Sequence, residues 1–214
     1  MRDDTHPRPP ATVYVVDDDA SVLKSVARVL RTAGFGVETF SSGQAFLAHP
    51  LSPEPSCVVL DVRMPGLTGL ELQEALSSRN EPVAIVFISG ASDVPATVRA
   101  MKAGAVDFLA KPYTADDLLD AVRRAIDRNA SDQAEHARTA AIARRMRMLT
   151  PREAEVLSQV VSGHLNKQIA GTLGISEKTV KVHRARVMAK MRADSVADLV
   201  RMAQVMGVVT PPLR

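Results

Sequence analysis

Val58–Val59–Leu60–Asp61–Val62–Arg63–Met64–Pro65–Gly66 joins an unbroken apolar run to one aspartate and a Pro-Gly turn. A short, continuous, β-branched run is typical of a strand buried on both faces of a parallel sheet. In such sheets, ligands bind beyond the carboxyl ends of the strands. The sequence therefore predicts that Asp61 lies at the edge of the sheet where a functional site would form.

Three further strand-like runs also end in polar side chains. Asp17–Asp19 follow the first run, Ser89 follows residues 84–88, and Lys111 follows residues 106–110. Because the carboxyl ends of parallel strands meet at one edge, these groups should converge on the central aspartate. Each alone has an ordinary explanation, such as a solvated helix N-terminus for the three aspartates. Together they indicate one site.

Alternation of short strands with helices of 10 to 15 residues predicts βαβ units and a parallel sheet. Five such repeats fit a flavodoxin-like doubly wound (βα)5 domain of strand order 2-1-3-4-5, whose switch point lies between strands 1 and 3. Pro82 is expected to open the fourth strand. The predicted helices cover residues 21–33, a short segment after Ser41 or Ser42, 67–78, 95–103 and about 114–126.

The charge is divided unequally between the two halves of the chain. Residues 1–127 hold 12 Lys and Arg against 17 Asp and Glu, whereas residues 128–214 hold 15 against 7. An acidic half joined to a basic half predicts two domains, the second facing a polyanion. The absence of Trp and the few Tyr and Phe argue against stacking on single-stranded nucleic acid.

Composition also bounds the cellular context. A single cysteine, Cys57, allows no internal disulfide, and no apolar run reaches the roughly 18 residues that a membrane span needs. The charged, Pro-rich start of the chain does not look like a secretory signal. We therefore expect a cytoplasmic protein with no membrane partner, a flexible tail over residues 1–11 and a first domain over residues 12–128.

Residues 129–148 lack Gly and Pro and are rich in Ala, Arg, Gln and Glu, which favours a helical linker over a flexible tether. Thr150, Pro151 and Glu153 then form a strong helix-start signal with a capping box. Residues 149–214 are predicted to be a compact all-α domain. Its helices are expected at about 151–161, 167–173, 177–192 and 195–205.

Residues 166–180 have the layout of a helix-turn-helix, with Gly174 at the turn and Ser176 capping the second helix. That second helix carries a polar and basic sector away from Val180, Val187 and Met191. A basic helix of this kind can enter the DNA major groove, although a solvated basic face or a membrane-surface helix remains an alternative. The sector comprises Lys178, Thr179, Lys181, Val182, Arg184, Ala185 and Arg186.

The motifs VVDDD, LDVRMPG, FISGA and MKAGAVDFLAKPY resemble those of two-component response-regulator receiver domains, over about residues 12–128. The resemblance implies Asp61 as phosphoacceptor and a Mg²⁺ site at the acidic pocket, where the metal would neutralise the incoming oxygens. Lys111 would contact the phosphoryl group, and Ser89 and Phe108 would be the switch residues. A cis peptide before Pro112 is also implied. The implied metal ligands are Asp17, Asp18, Asp61 and the backbone carbonyl of Arg63, with Asp18 a direct ligand.

LTPREAEVL, NKQIA and GISEKTVKVHR resemble the DNA-binding domain of the FixJ/NarL (LuxR-type) regulators, over about residues 148–206. The resemblance implies binding of double-stranded DNA, with Lys181 and Val182 near base edges. Which of Arg184 and Arg186 reads a base is left open. Phosphate contacts are implied for Lys178, Thr179, His183 and Arg184, and dimerisation for the last helix through Val196, Leu199 and Val200.

We therefore expect a DNA-binding transcription factor that a sensor histidine kinase activates by phosphorylating Asp61, and that dimerises through its receiver. RNA polymerase is an expected partner. The protein is not expected to be an enzyme beyond slow loss of its own phosphoryl group. The alternatives are a phosphatase, which would need a further acid or base, and a constitutive DNA-binding protein whose switch is silent. Arg63 and Ala91 differ from many receivers, and both could alter how fast the phosphoryl group is lost. The Asp61, Ser89 and Lys111 set argues against a silent switch, although Arg63 leaves room for it.

Overall fold

The computed structural model describes residues 11–79, 83–90 and 94–208. The tail predicted for residues 1–11 falls almost entirely outside these ranges, as do Pro82 and Ala91. The chain divides into two compact units between Ala134 and Glu135, and each unit is described by itself. No helix in the described ranges is long and apolar enough to cross a membrane.

The first unit is a five-stranded parallel sheet of order β2-β1-β3-β4-β5 with helices between its strands. The predicted fold class and strand order are confirmed. The strands are β1 (Thr12–Val16), β2 (Gly36–Phe40), β3 (Ser56–Asp61), β4 (Ala84–Gly90) and β5 (Asp107–Lys111). The helices are α1 (Ala20–Thr32), α2 (Gly43–Leu47), α3 (Gly69–Ser78), α4 (Val94–Lys102) and the first part of α5 (Ala115–Arg147).

Capping side chains explain where two helices differ from the sequence-based bounds. α3 begins at Gly69 rather than at residue 67, because Thr68 is its N-cap and forms a capping box with Glu71. α1 begins at Ala20, because the Asp19 carboxylate accepts the Ser21 N–H at 2.7 Å. β4 extends through Gly90, so Ser89 lies within the strand rather than beyond it.

β3 is buried along its whole length, as a central strand of a doubly wound sheet requires. Alternate residues point to opposite faces: Val58 and Leu60 join one core cluster, and Cys57 and Val59 join the other. Full burial of each such side chain contributes about 1.5–3 kcal/mol of transfer free energy. The first cluster is covered by α2, α3 and α4, and the second by α1 and α5. Two apolar layers thus fix the strand that ends at Asp61.

A buried amide ties α5 to the start of β3. Asn129 follows the apolar face of α5, and its Oδ1 accepts the Ser56 N–H at 2.9 Å and the Gln133 Nε2–H at 3.1 Å. Both Asn129 and Ser56 are buried. The helix then continues without a break through Arg147.

The second unit is all-α and has a core of its own. Ile142, on the last part of α5, is buried in this core together with Val156, Val180 and Leu199. The prediction that Leu199 serves dimerisation is therefore wrong, because its side chain is enclosed within its own unit. The remaining helices are α6 (Pro151–Val161), α7 (Asn166–Leu173), α8 (Glu177–Met191) and α9 (Val196–Val205).

Gly69 should be the least replaceable glycine near Asp61. A Cβ there would lie 2.3 Å from the Asp61 carbonyl oxygen and 3.1 Å from Phe87, so Gly69→Ala forces the loop away from the strand. We expect destabilisation of at least roughly 1–3 kcal/mol, measured by denaturant unfolding. Gly171→Ala is the control: it sits in α7 with nothing within 4 Å of the added Cβ, and should stabilise by about 0.5–1 kcal/mol. Equal effects of the two substitutions would contradict this account.

Candidate functional site

Lys111 joins the two buried carboxylates at the carboxyl edge of the sheet. Its Nζ lies 2.9 Å from Asp61 Oδ1 and 3.5 Å from Asp17 Oδ2. Asp61 and Asp17 are only 8% and 4% exposed, whereas about a third of the Lys111 side chain is accessible. The predicted convergence of the ends of β1, β3 and β5 is therefore present in the structure.

Backbone N–H groups hold both carboxylates in place. The Arg63 N–H donates to Asp61 Oδ2 at 2.6 Å, and the Asp19 N–H donates to Asp17 Oδ1 at 2.8 Å. Each donor lies two residues after its acceptor, in the turn that follows the strand. Each carboxylate thus has a backbone contact besides its contact with Lys111.

Burial governs the protonation of Asp17. Desolvation raises the pKa of its carboxyl and the nearby Asp61 charge adds to this, outweighing the Asp19 N–H and Lys111, which lower it. For Lys111, desolvation lowers the pKa, but the contacts with Asp61 and Asp17 more than compensate and the pKa is raised. Lys111 therefore stays charged between the two acids.

The remaining predicted receiver residues occupy different surroundings. Ser89 is 2% exposed and sits on β4, one residue beyond the register partner of Asp61. Phe108 lies on β5, half-buried, with its ring 6.3 Å from that of Phe87. Asp18 is exposed. Arg63 is exposed, and its Nη2 lies 3.6 Å from the position of a Cβ on Gly90. The Lys111–Pro112 peptide is cis, as predicted.

The donor set suits a hard divalent cation. Asp17 and Asp61 place two carboxylates beside one ammonium, with Asp18 nearby in sequence, so added positive charge would offset their repulsion. Within the described ranges, no three His, Cys, Asp or Glu side chains form a metal-binding group. The carboxylates would therefore need carbonyl and water oxygens to complete a shell, which is how Mg²⁺ is commonly held.

α8 presents some of its predicted DNA-contacting residues to solvent and turns others inward. Lys178, Lys181, Val182 and Arg186 are exposed. Arg184 is half-buried, and its Nη1 donates to Asn166 Oδ1 on α7 at 3.0 Å. The other two predicted contacts are also half-buried: Thr179, whose hydroxyl lies 2.8 Å from that of Ser176, and His183, whose Nδ1 is buried without a protein partner among the described residues.

The contacts that hold the C-terminal end of α8 in place carry no local sequence signal. Lys190 Nζ lies 2.6 Å from Glu153 Oε2 and donates to the Met148 carbonyl at 3.0 Å. Arg145 of α5 donates to the Met191 carbonyl at 3.2 Å. The capping box identified Glu153, but no short-range pattern connects residue 153 to residue 190. These contacts hold α8 against α6 and the last turns of α5.

Comparison with known families agrees with both sites. Residues 13–123 match the response regulator receiver domain, and residues 147–203 match the bacterial regulatory proteins of the LuxR family. The chain is a response regulator of the FixJ/NarL family. Its two units correspond to a receiver and a LuxR-type helix-turn-helix domain that binds DNA, and its function is transcription regulation.

Relatives and solved structures cover nearly the whole response regulator. Nodulation protein W of Bradyrhizobium diazoefficiens is 44% identical over 198 residues, 92% of this chain and 87% of that protein. Transcriptional regulatory protein FixJ of Rhizobium meliloti is 44% identical over 192 residues, 90% and 94% of the two chains. The structure of response regulator StyR, 46% identical, has a TM-score of 0.81 over 91% of this chain and 98% of that one.

Neutralising Asp17 should stabilise the receiver at neutral pH. Asp17→Asn keeps the acceptor for the Asp19 N–H but removes a charge whose folded-state pKa is raised. A raised carboxyl pKa means that the receiver loses stability as pH rises through that pKa. We therefore expect a higher urea midpoint for the variant than for the wild type at neutral pH, and a smaller difference between the two midpoints in acid. Asp127→Asn, an exposed change on α5, is the control and should move the midpoint little. A lower midpoint for Asp17→Asn would refute this.

The contacts at the C-terminal end of α8 should give the second unit a distinct acid response. The hydrogen bond from Lys190 leads the causes that lower the pKa of Glu153 to about 2. Because the folded-state pKa is lowered, this contribution to stability is lost as pH falls from the ordinary glutamate range towards about 2. Lys190→Met should remove this pH-dependent contribution and lower the free energy of unfolding at neutral pH. The measurement is unfolding monitored by the helical circular dichroism signal at a series of pH values. Lys178→Met, on the exposed face of α8, should leave the acid profile as in wild type.

Proposed function

We propose that a sensor histidine kinase phosphorylates Asp61, and that the phosphorylated receiver drives dimerisation and DNA binding. The observation that carries this proposal is the contact of Lys111 with Asp61 and Asp17. It places a nucleophilic carboxylate beside a cation that can pair with a phosphoryl oxygen. A constitutive DNA-binding protein would have no need of such a pocket.

In the proposed step, an Asp61 carboxylate oxygen attacks the phosphorus of a phosphohistidine. The new O–P bond forms as the P–N bond breaks, and its electron pair stays on the histidine imidazole of the kinase. Lys111 then pairs with a phosphoryl oxygen instead of the unmodified carboxylate. Asp17, Asp61 and the Arg63 carbonyl would hold the Mg²⁺ ion, which when bound would neutralise charge on the phosphoryl oxygens. Exposed Asp18 would have to turn towards the pocket to join them as a ligand.

Ser89 and Phe108 are proposed to relay phosphorylation to the surface. Ser89 is buried on β4, one residue beyond the register partner of Asp61, and its hydroxyl is proposed to shift towards a phosphoryl oxygen. Phe108 packs against the first core cluster from β5. Inward movement of the hydroxyl would free space for the ring, so the α4–β5 surface would change shape.

The dimer is proposed to form through the α4–β5 surface. Val98 and Met101 of α4 are 47% and 43% exposed, an apolar pair that a partner copy could cover. Arg99 and Lys102 on the same helix supply a polar surround. On α9, exposed Val196 and half-buried Val200 remain available for a second contact between DNA-bound copies. Pairing two DNA-binding domains raises affinity by avidity, without a new base contact.

The exposed face of α8 is proposed to enter the major groove of double-stranded promoter DNA. The cationic side chains on that face are exposed: Lys178, Lys181 and Arg186. The Arg184 contact with Asn166 favours Arg186 as the arginine that reaches a base, with Arg184 orienting the two helices. Thr179 and His183 would contact phosphates at the margin. We further propose a cytoplasmic protein that acts with RNA polymerase and loses its phosphoryl group slowly, without turnover of another substrate.

The test is intact-mass spectrometry of the full chain after incubation with acetyl phosphate and Mg²⁺, with size-exclusion chromatography of the same samples. We expect one phosphoryl increment and a shift to dimer in wild type and in the exposed-site control Asp120→Ala. Asp61→Ala should show neither. No increment in wild type would refute the phosphoacceptor proposal and leave constitutive DNA binding. An increment without dimer would refute only the dimerisation step.

A further inference from the structure

A glutamine is buried between α3 and α4, where an apolar side chain is the ordinary occupant. Gln73 is only 2% exposed, and its Nε2–H donates to the Ala100 carbonyl at 3.1 Å. Its Oε1 is buried as well and has no hydrogen-bond partner among the described residues. Leaving a buried acceptor unpaired costs folding free energy. An apolar side chain would avoid that cost, so the stability of the core does not account for an amide at this position.

The carbonyl that Gln73 contacts has a second donor of its own. The Ala100 carbonyl also accepts the Ala105 N–H at 3.1 Å, in the turn that ends α4. The bond from Gln73 is therefore not needed to satisfy that carbonyl. A hydrogen bond constrains both distance and angle, whereas packed apolar helices can slide past one another by small amounts. Gln73 thus fixes the C-terminal end of α4 against α3.

The first turn of α4 has more room than its C-terminal end. A groove of about 360 Å³ lies between the first turns of α3 and α4. Leu70 and Glu71 line it from α3, and Pro95 and Ala96 line it from α4. The helix therefore has space beside its start and a fixed point near its end, which is the arrangement of a hinge.

We propose that Gln73 is a positioning residue, which fixes the point about which α4 turns when Asp61 is phosphorylated. Ala100 is buried in the core cluster against which Phe108 of β5 also packs. A fixed point at this end of α4 keeps the start of β5 in place while the exposed face of α4 is reoriented towards a partner copy. This inference rests on the proposed phosphorylation and dimerisation, and adds the residue that directs the change of the α4–β5 surface.

Gln73→Met tests the proposal, because it keeps the length of the side chain and removes both the donor and the unpaired acceptor. The Ala100 carbonyl retains the Ala105 N–H, so the variant should fold with an unfolding midpoint close to that of wild type. In the untreated full chain, hydrogen exchange at the Ala105 amide should become roughly fivefold faster, the net effect of one lost hydrogen bond. Gln73→Leu, a second apolar replacement, should give the same result.

Dimerisation supplies a readout that a merely structural residue would not change. After incubation with acetyl phosphate and Mg²⁺, Gln73→Met should gain the same phosphoryl increment as wild type. The dissociation constant of its phosphorylated dimer should rise roughly fivefold. The control is Glu74→Gln, which removes only an exposed ion pair of 3.9 Å with Arg99 and should match wild type in both measurements.

Each contrary outcome removes a different part of the proposal. An unchanged exchange rate at Ala105 in both apolar variants would overturn the fixed point. Faster exchange with an unchanged dimer constant would overturn the role of Gln73 in dimerisation. If wild type gains no phosphoryl group, the proposed function fails and this role with it, whereas exchange in the untreated protein still decides whether Gln73 fixes α4.

Discussion

One ammonium between two buried carboxylates is the contact on which the receiver site depends. Lys111 partly neutralises Asp61 and Asp17, and its position at the end of β5 brings the fifth strand into the same site as the first and third. Desolvation raises the pKa of Asp17, so the pocket holds negative charge at a cost in folding stability. Two carboxylates beside one ammonium favour the binding of a cation. A bound cation would in turn offset the negative charge that a phosphoryl group on Asp61 would add.

The sheet makes that arrangement possible by enclosing the acidic strand on both faces. β3 contributes alternate residues to two core clusters, so its end has little freedom to move. Gly69 then lets the following loop pass against the Asp61 carbonyl more closely than any side chain would allow. Position is therefore set by packing and backbone geometry, while Lys111 supplies charge.

Much of this could be predicted from the sequence because the signals are local. The apolar run before Asp61 predicts a strand buried on both faces, and the alternation of strands and helices predicts a parallel doubly wound sheet. The Thr150–Glu153 capping box likewise marked the start of α6. The bond between Lys190 and Glu153 and that between Arg184 and Asn166 could not be predicted, since each joins helices through tertiary packing. Leu199 shows the same limit: its apolar spacing on α9 is equally consistent with an interface and with the core that in fact encloses it.

The amide of Asn129 restricts how the chain can vary in length. Asn129 Oδ1 can accept the Ser56 N–H only when that side of α5 faces the start of β3. Each inserted or deleted residue rotates the following part of a helix by about 100°. A change in length between Leu118 and Asn129 would turn the amide away from the strand and leave a buried donor unpaired. Insertions there should be rare among natural variants of this protein, whereas the exposed residues 134–138 are free of this particular constraint. The Asn129 side chain thus restricts the number of residues that α5 can hold between its first turn and the contact with β3.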